Sequence, residues 1–130
     1  MAAFPAIEEL LPHRGAMLLT DAVVSYDAGS IVTRATASPG MPAWMGLELM
    51  AQAAAACAGM EARRTGGAPR RGMLVGCRSY RAASPSFPGV LEIRAARTAS
   101  DAGGFSVFDC SVTGPGGEAL ATGTIQVLLQ

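Results

Sequence analysis

The stretch Trp44-Met-Gly-Leu-Glu-Leu-Met-Ala-Gln-Ala-Ala-Ala-Ala-Cys-Ala-Gly-Met60 is apolar over nearly the length of a membrane span, but Glu48 and Gln52 interrupt it one helical turn apart. Charged groups are costly at the centre of a bilayer, so the segment reads as a helix buried in protein. Ala, Leu and Met are good helix formers, and Pro42 stands where a first-turn proline starts a helix from about Ala43. Arg63 and Arg64, followed by Gly66-Gly67, supply its stop. A helix over 43–64 is about 33 Å long at about 1.5 Å per residue. Its Ala51, Ala53 to Ala56, Ala58 and Gly59 carry almost no side-chain bulk, so something must pack against it very closely.

The flanking sequence reads as strand over Met17 to Tyr26, Ser30 to Ala37, Gly72 to Arg81, Val90 to Thr98, Gly104 to Thr113 and Glu118 to Leu129. Turn signals at Asp27-Ala-Gly29, Asp101-Ala-Gly-Gly104 and Gly114-Pro-Gly-Gly117 separate several of them. Alternation is clearest near the end. There Phe105 and Val107 oppose Phe108 and Cys110, while Ile125, Val127 and Leu129 oppose Thr124, Gln126 and Leu128. Two strands, one helix and four strands imply an α+β fold in which an antiparallel sheet curls around a central helix. The 130 residues are of a size for one domain, 1–130, without disulfides or metals.

Half the residues are apolar and only 15% are charged, a sparse cover for a monomer's surface, which points to an oligomer. Formal net charge is zero and every basic residue is Arg, with no basic stripe interleaved with aromatics, so nucleic-acid binding is not expected. Cys57, Cys77 and Cys110 form no CxxC pair, and one histidine leaves no Cys/His cluster for a metal. The three read as core cysteines in a reducing cytoplasm. No basic region followed by an apolar stretch and a cleavage site opens the chain, so a cytoplasmic protein is expected.

Glu48 is a carboxylate on an otherwise apolar helix, and Gln52 shares its face at i+4. If that face is buried, desolvation favours the protonated acid, which could then donate near neutral pH. Otherwise Glu48 is an exposed carboxylate stabilising the helix N-terminus. At that N-terminus Ala43 and Trp44 present unpaired backbone N–H groups able to polarise a carbonyl, or simply to meet water. Trp44 and Met45, with Met41 before them, either line a tunnel or fill core. Arg63, Arg64, Arg70 and Arg71 gather at the helix exit, where they could receive a phosphate or an acidic carrier, or merely complement the dipole. His13, in Leu10-Leu-Pro-His-Arg-Gly-Ala-Met-Leu-Leu19, is the single imidazole.

Leu-Pro-His-Arg followed by Met-Leu-Leu-Thr-Asp, then Met-Pro-Ala-Trp-Met-Gly-Leu-Glu-Leu-Met-Ala-Gln-Ala-Ala, resembles the hotdog-fold 3-hydroxyacyl-acyl-carrier-protein dehydratases over about Ile7 to Val127. The branch associated with aryl polyene biosynthesis is the most similar, through the Pro-Ala-Trp start, the Glu-x-Met-Ala-Gln core and Gly72-Met-Leu-Val-Gly-Cys-Arg-Ser-Tyr80. In the main fatty-acid branch the catalytic pair is a helix acid, matched by Glu48, and a His in a loop before the helix. This chain has Ala35-Thr-Ala-Ser-Pro-Gly-Met-Pro42 at that loop, and the expected position falls on Arg34. Either His13 has taken over as base, or catalysis is altered or lost.

The resemblance implies dehydration of a 3-hydroxyacyl thioester to a trans-2-enoyl thioester, with catalytic His13 and Glu48. Ala43, Trp44, Met45 and Gln52 would contact the substrate, and the four arginines would meet its carrier. No metal or nucleotide is called for; the substrate rides on phosphopantetheine, attached to acyl carrier protein or coenzyme A. A homodimer, a larger homo-oligomer or a heterodimer with a homologue would build the site. A hotdog acyl thioesterase and a non-catalytic acyl-binding or scaffold subunit paired with an active homologue are the alternatives.

Overall fold

The computed structural model describes residues 4–67 and 72–129. A short helix α1 (Ile7–Leu10) and a 3-10 turn (Gly15–Met17) precede β1 (Thr20–Asp27) and β2 (Ser30–Thr36). A second 3-10 turn (Ala43–Met45) leads into α2 (Gly46–Arg64), followed by β3 (Gly72–Ala82), β4 (Val90–Ser100), β5 (Phe105–Thr113) and β6 (Ala119–Leu129). The strands form one antiparallel sheet in the order β1-β2-β4-β5-β6-β3, with β3 and β1 at its edges. This is the hotdog arrangement expected from the sequence. One boundary is corrected: β1 begins at Thr20 rather than Met17, because the chain first makes the 3-10 turn that brings it onto α2.

Period-two alternation settles which strand face meets the helix. Ser106, Phe108, Cys110 and Val112 of β5 point inward, as do Leu91, Ile93 and Ala95 of β4 and Ile125 and Val127 of β6. Against them α2 packs Leu49, Met50, Ala53, Ala54, Ala56 and Cys57, all essentially inaccessible. Arg97 on β4 grips the carboxylate of Glu61 with two nitrogens, at 2.5 and 2.8 Å, and its guanidinium lies 5.0 Å from the centroid of the Phe108 ring. The far end of the helix is thereby tied to the sheet. Among the described residues no helix is long and apolar enough to cross a membrane.

The close neighbour implied by the small residues of α2 is the N-terminal segment. A Cβ added at Gly59 would lie 2.8 Å from the Leu10 carbonyl oxygen and 3.2 Å from its Cα. Alanine is the better helix former by about 0.8–1 kcal/mol, but the clash is with backbone that cannot swing aside, and overpacking costs about 1–3 kcal/mol. Gly59→Ala is therefore expected to lower the melting temperature, measured by calorimetry, despite its helix propensity.

Two cysteines occupy the core, but Cys77 lies exposed on β3 and corrects the expectation that all three are buried; all are free thiols. Burial pushes the thiols of Cys57 and Cys110 up to about 12, from an ordinary value of 9.0. An unfolded chain releases these protons from about pH 9 while the folded chain holds them. Stability is then fully present below pH 9 and falls as pH rises through the window from 9 to 12. Urea midpoints measured across that window are expected to decrease, and serine at both positions to flatten the decline.

Candidate active site

His13 and Glu48 meet although 35 residues separate them in sequence. His13 Nε2 is 3.6 Å from Glu48 Oε1, in ion-pair range and longer than a direct hydrogen bond. Neither is deeply buried in the single chain, where 28% of the His13 side chain and 35% of that of Glu48 are accessible. Both line a cavity of about 80 Å³, together with Pro12, Ala51, Ala55, Gly72, Leu74 and Val127. His13 also lines a broader depression of about 370 Å³ with Pro12, Arg14, Met17 and Gly72. The pair thus lines an apolar recess, with open surface beside His13.

Two residues hold the pair together. Gln52 is fully buried, and its Oε1 accepts hydrogen bonds from Leu19 N (3.0 Å), Thr20 N (3.1 Å) and Thr20 Oγ1 (2.9 Å). With the oxygen so engaged, the amide nitrogen must face the other way. Nε2 donates to Met17 O at 2.6 Å and to Glu48 Oε1 at 3.1 Å. Gln52 therefore pins the segment that carries His13 and orients the carboxylate at once. Arg14 shapes the histidine loop from within: Nη1 donates to Leu11 O (2.7 Å) and His13 O (2.6 Å), and Nη2 to Glu8 O (2.9 Å). His13 Nδ1 is buried with no hydrogen-bond partner among the described residues.

Several expected contacts are corrected. Gln52 has no surface left for substrate; its amide is spent on the protein. Ala43 N–H donates to Pro85 O at 2.9 Å, so it is not an open donor. Met45 N–H donates to Pro42 O at 3.0 Å, and among the described residues no acceptor meets the N–H of Trp44 between them. Neither Trp44 nor Met45 nor Met41 lines the cavity. The Trp44 side chain is 67% exposed, Met41 is core, and Met45 is half-buried against the core. Arg63 pairs with Glu9 at 3.4 Å and Arg64 lies beside Tyr26, at the opposite end of α2 from Glu48, about 24 Å away at about 1.5 Å per residue. They do not join the site, and Arg70 and Arg71 fall outside the described residues. Arg34 is exposed on β2 between inward-facing Thr33 and Ala35, so the loop position carries no substitute base.

Sequence reasoning missed Arg14, Thr20 and the recess residues Ala51, Ala55, Gly72, Leu74 and Val127. Arg14 had a signal, since it adjoins the single histidine; the recess residues are small or aliphatic and carry none. The expected strand Gly72 to Arg81 is present, but along Met73-Leu-Val75 both faces of β3 are open, at 47%, 43% and 47% exposure.

No curated protein matches the chain in sequence. Among solved structures it is similar to a chain of the dehydratase heterocomplex ApeI:P from Xenorhabdus doucetiae, at 26% identity and a TM-score of 0.90, over 98% of this chain and 92% of that one. A hypothetical thioesterase solved with coenzyme A from Streptococcus pneumoniae is similar at 12% identity, TM-score 0.63, over 83% and 84% of the two chains. The PaaI protein from the phenylacetic acid degradation operon of E. coli is similar at 16% identity, TM-score 0.63, over 83% and 78%. These last two share the fold alone. The family model of the ApeP dehydratases matches residues 5–130, nearly the whole chain, and the protein belongs to the ApeP-like dehydratase family.

Proposed function

We propose that this chain itself dehydrates a 3-hydroxyacyl thioester in aryl-polyene-type synthesis, using His13 as base and Glu48 as acid. The observation that carries the reading is the approach of His13 Nε2 to Glu48 Oε1, 3.6 Å apart within one chain, at the mouth of an apolar recess. The acyl chain enters the recess and the thioester stays on the open side, its carbonyl toward the Trp44 N–H, one helical turn before Glu48. His13 takes the C2 proton, and the electron pair passes onto the thioester carbonyl as an enolate, then returns to form the C2–C3 double bond. Protonated Glu48 gives its proton to the departing C3 hydroxyl, which leaves as water. The imidazolium and carboxylate left behind stand within ion-pair distance, so one proton passed from the first to the second, directly or through water, resets the pair. Each acid or base of this kind contributes about 10²–10⁴ in rate.

The substrate's pantetheine thioester belongs to acyl carrier protein or coenzyme A, and the reaction draws on no metal or nucleotide. We also propose that the chain works as an oligomer, with a second copy or with a homologous dehydratase subunit, as in the heterocomplex to which it is similar. Exposed Met73, Leu74 and Val75 on an edge strand support a covering chain there. The test is purified protein, alone and co-purified with a homologous subunit, mixed with 3-hydroxyacyl carrier protein and followed by mass spectrometry. Loss of one water from the acyl group supports the reading. Free acid and thiol would make the protein a thioesterase. Turnover that requires the homologue and survives Glu48→Gln in this chain would make it an accessory subunit.

A further inference from the structure

The amide that joins Ala43 to Trp44 is gripped from its carbonyl end. Tyr80, on β3, donates its hydroxyl to the Ala43 oxygen, which also receives the N–H of Gly46. One residue earlier, the Ala43 N–H is bound to Pro85 O. The other end of the gripped amide is the Trp44 N–H, which no acceptor meets among the described residues and which lies four residues before Glu48 in sequence. Space for Tyr80 exists because two neighbours lack side chains. A Cβ at Gly46 would fall on the Tyr80 hydroxyl, and one at Gly123 would stand 3.2 Å from its Cδ1. The ring reaches this place through a break in the β3–β6 pairing between Arg78 and Arg81 and a left-handed backbone at Ser79, with φ of 55°. Non-glycine residues seldom adopt that conformation, and it persists only where surrounding structure holds it.

We propose that Tyr80 is a positioning residue for the thioester carbonyl, fixing and polarising the Ala43–Trp44 amide so that the Trp44 N–H meets the oxygen that becomes negative as the C2 proton leaves. The inference rests on the dehydratase reading above. An amide whose carbonyl accepts a hydrogen bond becomes a stronger donor at its N–H, since linked hydrogen bonds polarise one another. A donor fixed in advance toward developing charge acts mainly on the transition state, and so on kcat rather than on KM. Burial raises the affinity of the Tyr80 phenol for its proton, which keeps the hydroxyl a donor.

Tyr80→Phe removes only the hydroxyl. With 3-hydroxybutyryl-pantetheine, kcat is expected to fall about tenfold, the worth of one hydrogen bond, with KM within about twofold. Gly46→Ala, whose methyl displaces the hydroxyl, is expected to lower kcat similarly in the wild-type protein. A readout independent of turnover uses the Glu48→Gln protein and the same thioester carrying a ¹³C carbonyl. Its infrared stretch is expected to move to lower frequency on binding, and Tyr80→Phe to return it part-way. Unchanged kcat with an unchanged stretch in Tyr80→Phe overturns the assignment, as does a loss expressed in KM and melting temperature alone. A Tyr80-dependent stretch in a protein without dehydratase turnover upholds the role of Tyr80 and sinks the dehydratase reading instead.

Discussion

Glu48→Gln is expected to cut dehydration of a 3-hydroxyacyl thioester by about 10²–10⁴ while leaving the fold intact. The side chain keeps its size and its place in the first turn of α2, and an amide oxygen can still accept the 3.1 Å hydrogen bond from Gln52 Nε2. It has no acidic proton to give the departing hydroxyl. His13→Ala is expected to cost a similar factor, because 28% of the histidine side chain is open to solvent and its removal leaves no large hole in the core. Groups that act as one unit do not add, so the double variant should be little slower than either single one. Kinetics on the three proteins, with melting temperatures alongside, decide the matter. Wild-type rates in both single variants would remove the pair from the mechanism.

Gln52→Leu is expected to be the most damaging substitution for the fold itself, at about 3–5 kcal/mol. Leucine matches the shape but abandons Leu19 N, Thr20 N, Thr20 Oγ1 and Met17 O, which lie in or beside the core. A buried group left without its partner costs about 1–3 kcal/mol, and the four form one network, so their costs partly overlap. For a chain of this size that is a fall of more than about 10 °C in melting temperature. Gln52→Glu preserves the oxygen that receives three donors but turns a second buried oxygen toward Met17 O and the Glu48 carboxylate, so stability should fall along with activity. Calorimetry and turnover on the two variants give the comparison; equal melting temperatures for Gln52→Leu and wild type would refute the network.

The fold was legible because periodicity is local. Alternation in β5 and β6 and the run of small residues in α2 each report which face is covered, and the structure places those faces as read. The site was legible only in part. Glu48 announced itself as an acid on an apolar helix, and the motif around His13 matched a family. Their meeting could not be seen from either, since it depends on the path of residues 8–20, fixed by Arg14 and Gln52 largely through backbone carbonyls and amides that any residue would supply. The same reason hid the loss of the Ala43 N–H, whose acceptor is the carbonyl of Pro85, brought alongside only by the fold. Gln52 misled because an amide next to an acid looks like a substrate contact, whereas its full burial makes it a tie-bar.

The edge strand β3 carries Met73, Leu74 and Val75 in a row, with no strand beyond it among the described residues. An exposed apolar edge ribbon of this kind readily adheres to the strand edges that it meets, its own copies included. In the assembly proposed above, the chain that covers β3 would also protect it during synthesis. On that proposal, subunits made in surplus would be the ones lost to clumping or to proteolysis, and the amount of usable protein would follow the scarcer partner.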